Sequence, residues 1–175
     1  VGPIRVLVVA EQAAAPYEVM PYITEMLNHS DSITLTIKFR SPRDRFETWL
    51  MEHEPSMLKR ENLRCVRGDM QEAVENADVV VGCHSTGVLE ALLHLKVPLF
   101  LRTGKWGDYY NMAESSERRC FLAENPDELI ERIKQAHDIP QKRLMKLREQ
   151  YFGDSRKNGS AWVVEKTEQL AASPK

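Results

Sequence analysis

Apolar positions along this chain fall into short runs separated by stretches of helical period. "IRVLVVA" (4–10) is apolar almost throughout, the pattern of a strand covered on both faces. A loop over Ala13–Pro16 leads into a helical pattern reaching about Leu27, with Pro21 expected in its first turn or at its start. "ITLTIKF" (33–39) instead alternates apolar with polar residues and reads as a second strand, and "DRFETWLMEHE" (44–54) sets Phe46 and Leu50 on one helical stripe. "LRCVRG" (63–68) predicts a short third strand, "MQEAVENA" (70–77) a two-turn helix, and "DVVVGC" (78–83) a fourth strand. A helix over 86–95 follows, then "VPLFL" (97–101) and "RCFLA" (119–123) as strands five and six. In "NPDELIERIKQAH" (125–137) Asn125 can cap, Pro126 suits the first helical position, and Asp127 and Glu128 favour the helix dipole. Two further helices are expected at about 140–151 and 160–172.

Strands alternating with helices predict an α/β fold: a Rossmann-like, doubly wound parallel sheet of about six strands in the order 3-2-1-4-5-6, with helices on both faces. At 175 residues the chain accommodates one such domain and is too short for two ordinary ones. Apolar residues make up 42% and charged residues 29%, with a net charge of -2, so a soluble domain is expected and a nucleic-acid or anionic-membrane partner is not. No apolar run approaches the roughly 20 residues that span a bilayer, and "VGPIRVLVVA" lacks the layout of a secretory signal. Cys65, Cys83 and Cys120, odd in number and scattered, do not form a disulfide framework, and a reducing cytoplasm is the economical location.

In an open parallel sheet ligands bind outside the carboxyl ends of the strands where the strand order reverses, here between strands 1 and 4. The loops of interest are therefore "EQAAAPYE" and "CHSTGVLE", with "RSPRD" and "RTGKWGDYY" beside them. None carries the glycine pattern of a dinucleotide fingerprint or a P-loop, and the histidines and cysteines do not fall at zinc spacings, so neither cofactor nor metal is expected. Ser85 and Thr86 stand where a helix begins, with Gly87 in its first turn. That arrangement reads either as an ordinary N-cap or as an anion site built from free N–H groups and hydroxyls. Glu90 lies four residues after Thr86 and completes no capping box with either hydroxyl residue. It reads as an acceptor for ribose hydroxyls or as a first-turn carboxylate favoured by the dipole.

"ADVVVGCHSTGVLEALLHLKVPLFL" resembles the donor-binding segment in the C-terminal half of GT-B glycosyltransferases, a superfamily that includes nucleotide-sugar 2-epimerases. The shared features are an aspartate opening the strand, Ser/Thr/Gly opening the helix, a Glu-Ala pair (Glu90-Ala91), and an apolar run after proline; Lys96 departs from the glycine common there. "FLAENPDELIERI" and "YFGDSRKNGSAWVVEKTEQL" resemble the late strand, helix start and terminal helix of the same family, so the likeness spans residues 78–172, and "IKFRSPRD" resembles a run that ends the second strand in several transferases. The resemblance implies a metal-independent glycosyltransferase using a UDP-, GDP- or CDP-linked sugar, with this chain as the C-terminal, donor-binding half of a two-domain protein. It implies donor diphosphate binding by Ser85, Thr86, Gly87, Arg40 and Arg43, ribose binding by Glu90, base or sugar contacts from Arg102, Lys105, Trp106, Tyr109 and Tyr110, and His84 on the phosphate or sugar. The acceptor site and the general base would then lie in the other half. Two alternatives stand beside this reading. One is a 2-epimerase-like isomerase, for which Glu90, Glu114 and Glu117 are the nearby acidic groups; the other is a non-catalytic flavodoxin-like sensing or interaction module.

Overall fold

The computed structural model describes residues 2–11, 14–40, 42, 44–107, 121–153, 164 and 167. Six strands, β1 (Ile4–Val9), β2 (Ile33–Lys38), β3 (Leu63–Val66), β4 (Val79–Gly82), β5 (Val97–Leu101) and β6 (Leu122–Ala123), form one sheet in the order β3-β2-β1-β4-β5-β6. Every pairing is parallel. This is the doubly wound arrangement that the alternation of strands and helices predicts. The helices are α1 (Pro16–Asn28), α2 (Arg45–His53), α3 (Met70–Glu75), α4 (Thr86–Glu90), α5 (Pro126–Gln135) and α6 (Gln141–Phe152). Of the helix expected over 160–172, residues 164 and 167 are described and both are helical.

Register places successive strand residues on opposite faces. Ile37, Val8, Val81 and Leu99 are aligned side by side and fully or almost fully buried, and they meet Val19, Ile23 and Met26 of α1, Phe46 and Leu50 of α2, and Leu129 and Ile133 of α5 in the main core. One residue earlier along the same strands the row reads Arg64, Thr36, Leu7, Val80, Pro98. On that face a second, small cluster joins Leu7 and Val80 to Val74, Ala77 and Ala91. The alternation in "ITLTIKF" thus records a strand apolar on one side only, whereas β4, "VVVG", is buried along its whole length.

Pro98 within a sheet strand has a geometric explanation. The N–H groups of Phe100 and Arg102 donate to Phe121 and Ala123 on the β6 side, while that of Val97 donates to Asp78 on the β4 side. By alternation the nitrogen of Pro98 faces the β6 side, and β6 begins to pair only at Phe100, so no ladder bond is lost.

Helix starts follow the sequence chemistry closely. Asn125 caps α5 by accepting from the Glu128 N–H at 2.9 Å, and Pro126 opens the helix. Asp44, buried, accepts from the N–H groups of Phe46 (2.8 Å) and Arg40 (2.9 Å) and so fixes the turn between β2 and α2. Two expectations are corrected. Pro16 rather than Pro21 occupies the start of α1, and Pro21 sits inside the helix with its ring exposed. The helix expected over 86–95 is α-helical only to Glu90 and tightens into a 3-10 turn over Ala91–His94. Leu95 then turns left-handed (φ 53°) and the Lys96 N–H closes back on the Ala91 carbonyl at 2.8 Å, a Schellman-type stop made without glycine.

Candidate functional site

β1 and β4 lie side by side, and β1 also pairs with β2, so the loops leaving the carboxyl ends of β1 and β4 flank the reversal of strand order. The two loops are joined by one side chain. Glu11, the first charged residue after the apolar run of β1, turns its carboxylate onto three successive backbone N–H groups of the other loop. Oε1 accepts from Cys83 (2.6 Å) and Ser85 (3.0 Å), and His84 donates to both oxygens (2.9 and 2.7 Å). Three aligned N–H dipoles on one anion form an oxyanion-type cradle, and here the anion is part of the chain.

The local sequence makes that approach possible. A Cβ on Gly82 would stand 2.6 Å from Glu11 Oε1 and 2.7 Å from Val88 Cγ2, so a larger residue at the end of β4 would expel the carboxylate or the core valine. Gly87 is likewise enclosed, 3.0 Å from Met70 Cε and 3.2 Å from Ser85 Oγ for an added Cβ, which ties α4 closely to α3. Glu11 also lines, with Val8, Ala10, Phe46, Gly82 and Cys83, a small void of about 10 Å³.

The structure brings His84, Ser85, Thr86 and Gly87 together around this cradle. Ser85 is the N-cap of α4, its Oγ accepting from the Gly87 N–H at 3.1 Å. Thr86 is exposed at the first position of the helix. Trp106, from the loop after β5, packs on His84 with ring centroids 3.9 Å apart, and the Lys105 ammonium lies 4.8 Å from the Trp106 ring centre. Glu18 in the first turn of α1 accepts from the Gly104 N–H at 2.7 Å and anchors that loop to the same end of the sheet. Cys83 is a core residue; burial raises its thiol pKa far above the usual range, with Glu11 and Glu18 adding to the rise, so it stays a neutral packing group.

Other residues singled out in the sequence are placed differently. Glu90 is the fifth residue of α4, beyond the first turn, so the reading of a dipole-favoured first-turn carboxylate is corrected; it is half-buried and shares a helix face with Thr86. Arg102 pairs with Glu124 (2.7 and 3.1 Å), which holds the Glu124 carboxyl below its usual range. The Arg102 carbonyl accepts from the buried Tyr22 hydroxyl at 2.7 Å, and burial pushes that phenol up to about 12. Arg40 is exposed just after β2. Arg43, Tyr109, Tyr110, Glu114 and Glu117 lie outside the described residues.

Two residues that sequence reasoning passed over prove central. Glu11 had a positional signal, since it opens the loop that must face "CHST" once the strand order is known. Gly82 had none, because its constraint comes from a side chain 71 positions away. Asp78, which opens the "ADVVVG" run, serves the architecture instead. It accepts from the N–H, Nε and Nη2 of Arg5 at 2.9, 3.0 and 2.6 Å and staples β4 to β1 at the amino end of the sheet.

These elements define a Rossmann-like α/β domain with an anion-accepting loop at its switch point. Among solved structures, the chain is similar to UGT89C1 of Arabidopsis thaliana in its crystal structure complexed with UDP, with a TM-score of 0.55 over 93% of this chain at 17% identity. The chain spans 43% of the length of that protein. At this identity the likeness shows the shared fold. No family model matches the sequence, and no curated protein matches it. Among the described residues no helix is long and apolar enough to cross a membrane.

Proposed function

We propose that this chain is the nucleotide-sugar-binding domain of a GT-B-type glycosyltransferase, transferring a sugar from a nucleoside diphosphate donor. The observation that carries the reading is the cradle of Cys83, His84 and Ser85 N–H groups at the switch point, which already holds a carboxylate in the geometry an anionic oxygen would adopt. Its position is where doubly wound sheets bind nucleotides. The similar structure of UGT89C1, complexed with UDP, supports the same ligand class.

In this reading the donor diphosphate sits against the loop from His84 to Gly87, with Ser85 and Thr86 hydroxyls beside it and Arg40 and Arg43 as countercharge. Glu90 accepts from the ribose. Trp106, with Lys105, Arg102 and Tyr109 in the neighbouring loop, contacts the base or the sugar. Departure of the diphosphate is helped by N–H dipoles fixed before reaction, which need no reorganisation as charge develops, and no metal is called for. The acceptor and the general base belong to a second domain, in line with a chain that spans 43% of its structural neighbour.

Calorimetric titration with UDP, GDP and CDP tests the proposal. One of the three is expected to bind at micromolar to millimolar affinity, and Ser85→Ala combined with Glu90→Ala to weaken it about tenfold or more. Failure of all three to bind at millimolar concentration overturns the reading.

A further inference from the structure

Resting on the nucleotide reading above, we propose that Glu11 is a built-in competitor for the diphosphate: the domain at rest fills its own anion cradle, and donor binding proceeds by exchanging the Glu11 carboxylate for a phosphate oxygen.

Each of the three N–H groups has one hydrogen to donate, and all three point at the same carboxylate at 2.6–3.0 Å. A phosphate oxygen accepting from the same hydrogens has to occupy the same volume, so the two anions exclude each other by contact as well as by charge. The void that Glu11 lines with Val8, Phe46 and Cys83 is about 10 Å³, too small to take in the carboxylate. Release therefore carries the carboxylate outward.

The chain is built to hold this contact. Glu11 is half-buried, and the glycine at position 82 leaves room for its Oε1 where any Cβ would intrude. Among the described residues the Glu11 carboxylate is held by backbone N–H groups, with no hydrogen bond or ion pair to a cationic side chain. A dianionic diphosphate offers those dipoles more charge than one carboxylate does. Self-occupation multiplies the apparent affinity by the fraction of time the cradle stands empty.

The test compares the wild-type chain with Glu11→Gln and Glu11→Ala, titrated with UDP and separately with inorganic pyrophosphate. Both variants are expected to bind UDP about tenfold or more tightly than wild type, with pyrophosphate following the same order. Equal or weaker binding by folded variants, with wild-type binding measurable, overturns the competitor and leaves the nucleotide reading standing. Failure of all three folded proteins to bind either probe at millimolar concentration overturns the nucleotide reading and this inference with it. Should the variants not fold, the wild-type protein decides by NMR. On saturation with UDP the Glu11 side-chain carboxyl carbon is expected to move to its solvent-exposed shift together with the amides of Cys83, His84 and Ser85. An unchanged Glu11 carboxyl signal in the UDP-saturated protein overturns the exchange.

Discussion

On one face of the sheet Val8, Ile37, Val81 and Leu99 pack into a core continuous with α1, α2 and α5, while on the other face Leu7 and Val80 join a small cluster with Val74, Ala77 and Ala91, edged by Val9, Met70 and Ala73. Toward β2 and β3 the second face turns polar. Thr36 and Arg64 continue the row, and a groove of about 160 Å³ runs beside α3, lined among others by Arg5, Thr36, Arg64 and Asn76. Cohesion there comes partly from ion pairs: Arg5 is held by Asp78, and Arg67 at the rim of the groove by Glu47. The difference shows how a doubly wound sheet can be stabilised from one side, leaving the other to tolerate polar residues and the closely fitted loops of the site.

Substitutions on the two faces probe that asymmetry. Ile37→Ala, on the dense face, is expected to cost roughly 3–4 kcal/mol by urea denaturation, against roughly 1–2 kcal/mol for Val80→Ala in the small cluster. Ile37 loses more atoms than Val80, so a Val81→Ala control of equal size belongs in the same experiment; a Val80→Ala cost equal to that of Val81→Ala would show the two faces to be equivalent. Asp78→Asn is expected to cost on the order of 1 kcal/mol at neutral pH, since its carboxylate is partly shielded and bound in two-pronged fashion by Arg5. The hydrogen bonds from Arg5 hold the Asp78 carboxyl below its ordinary value of 3.8. The folded-state pKa is depressed, so this stability is present above the unfolded pKa and is lost as pH falls below about 4. Acid titration of the wild type against Asp78→Asn should show the two curves converging there; parallel curves down to pH 2 would deny the pair its role. Thr36→Val is expected to change stability by less than about 0.5 kcal/mol, because the threonine faces the groove and not the core. A gain or loss above about 1.5 kcal/mol would mean that this face is covered.

Much of this was legible in the sequence, for identifiable reasons. "ITLTIKF" declares a one-sided strand because alternation is a local property of the chain, and "NPDEL" declares a helix start because capping involves residues two or three apart. The switch-point loop "CHSTG" could be located because strand order follows from the alternation of elements. Glu11 could not be assigned to its partners, since nothing near residue 11 announces three N–H groups more than 70 residues ahead. The early change from α-helix to 3-10 turn after Glu90 was hidden for a similar reason: Ala91 and Leu92 are fully buried between the sheet and its neighbours, and tertiary packing overrides the helical propensity of "EALLHL".

The strap made by Glu11 also bears on how the chain reaches its native state. Its partners stand 72 to 74 residues away, and the strands that bring them together, β1 and β4, pair only after the chain through β2 and β3 has been closed into a loop. A side-chain contact closing so long a loop carries a large entropy cost and is expected to form after the strands have paired. Removing the Glu11 carboxylate should therefore leave the refolding rate unchanged and appear almost entirely as faster unfolding, which makes this one side chain a setting for the lifetime of the folded domain rather than for its speed of assembly.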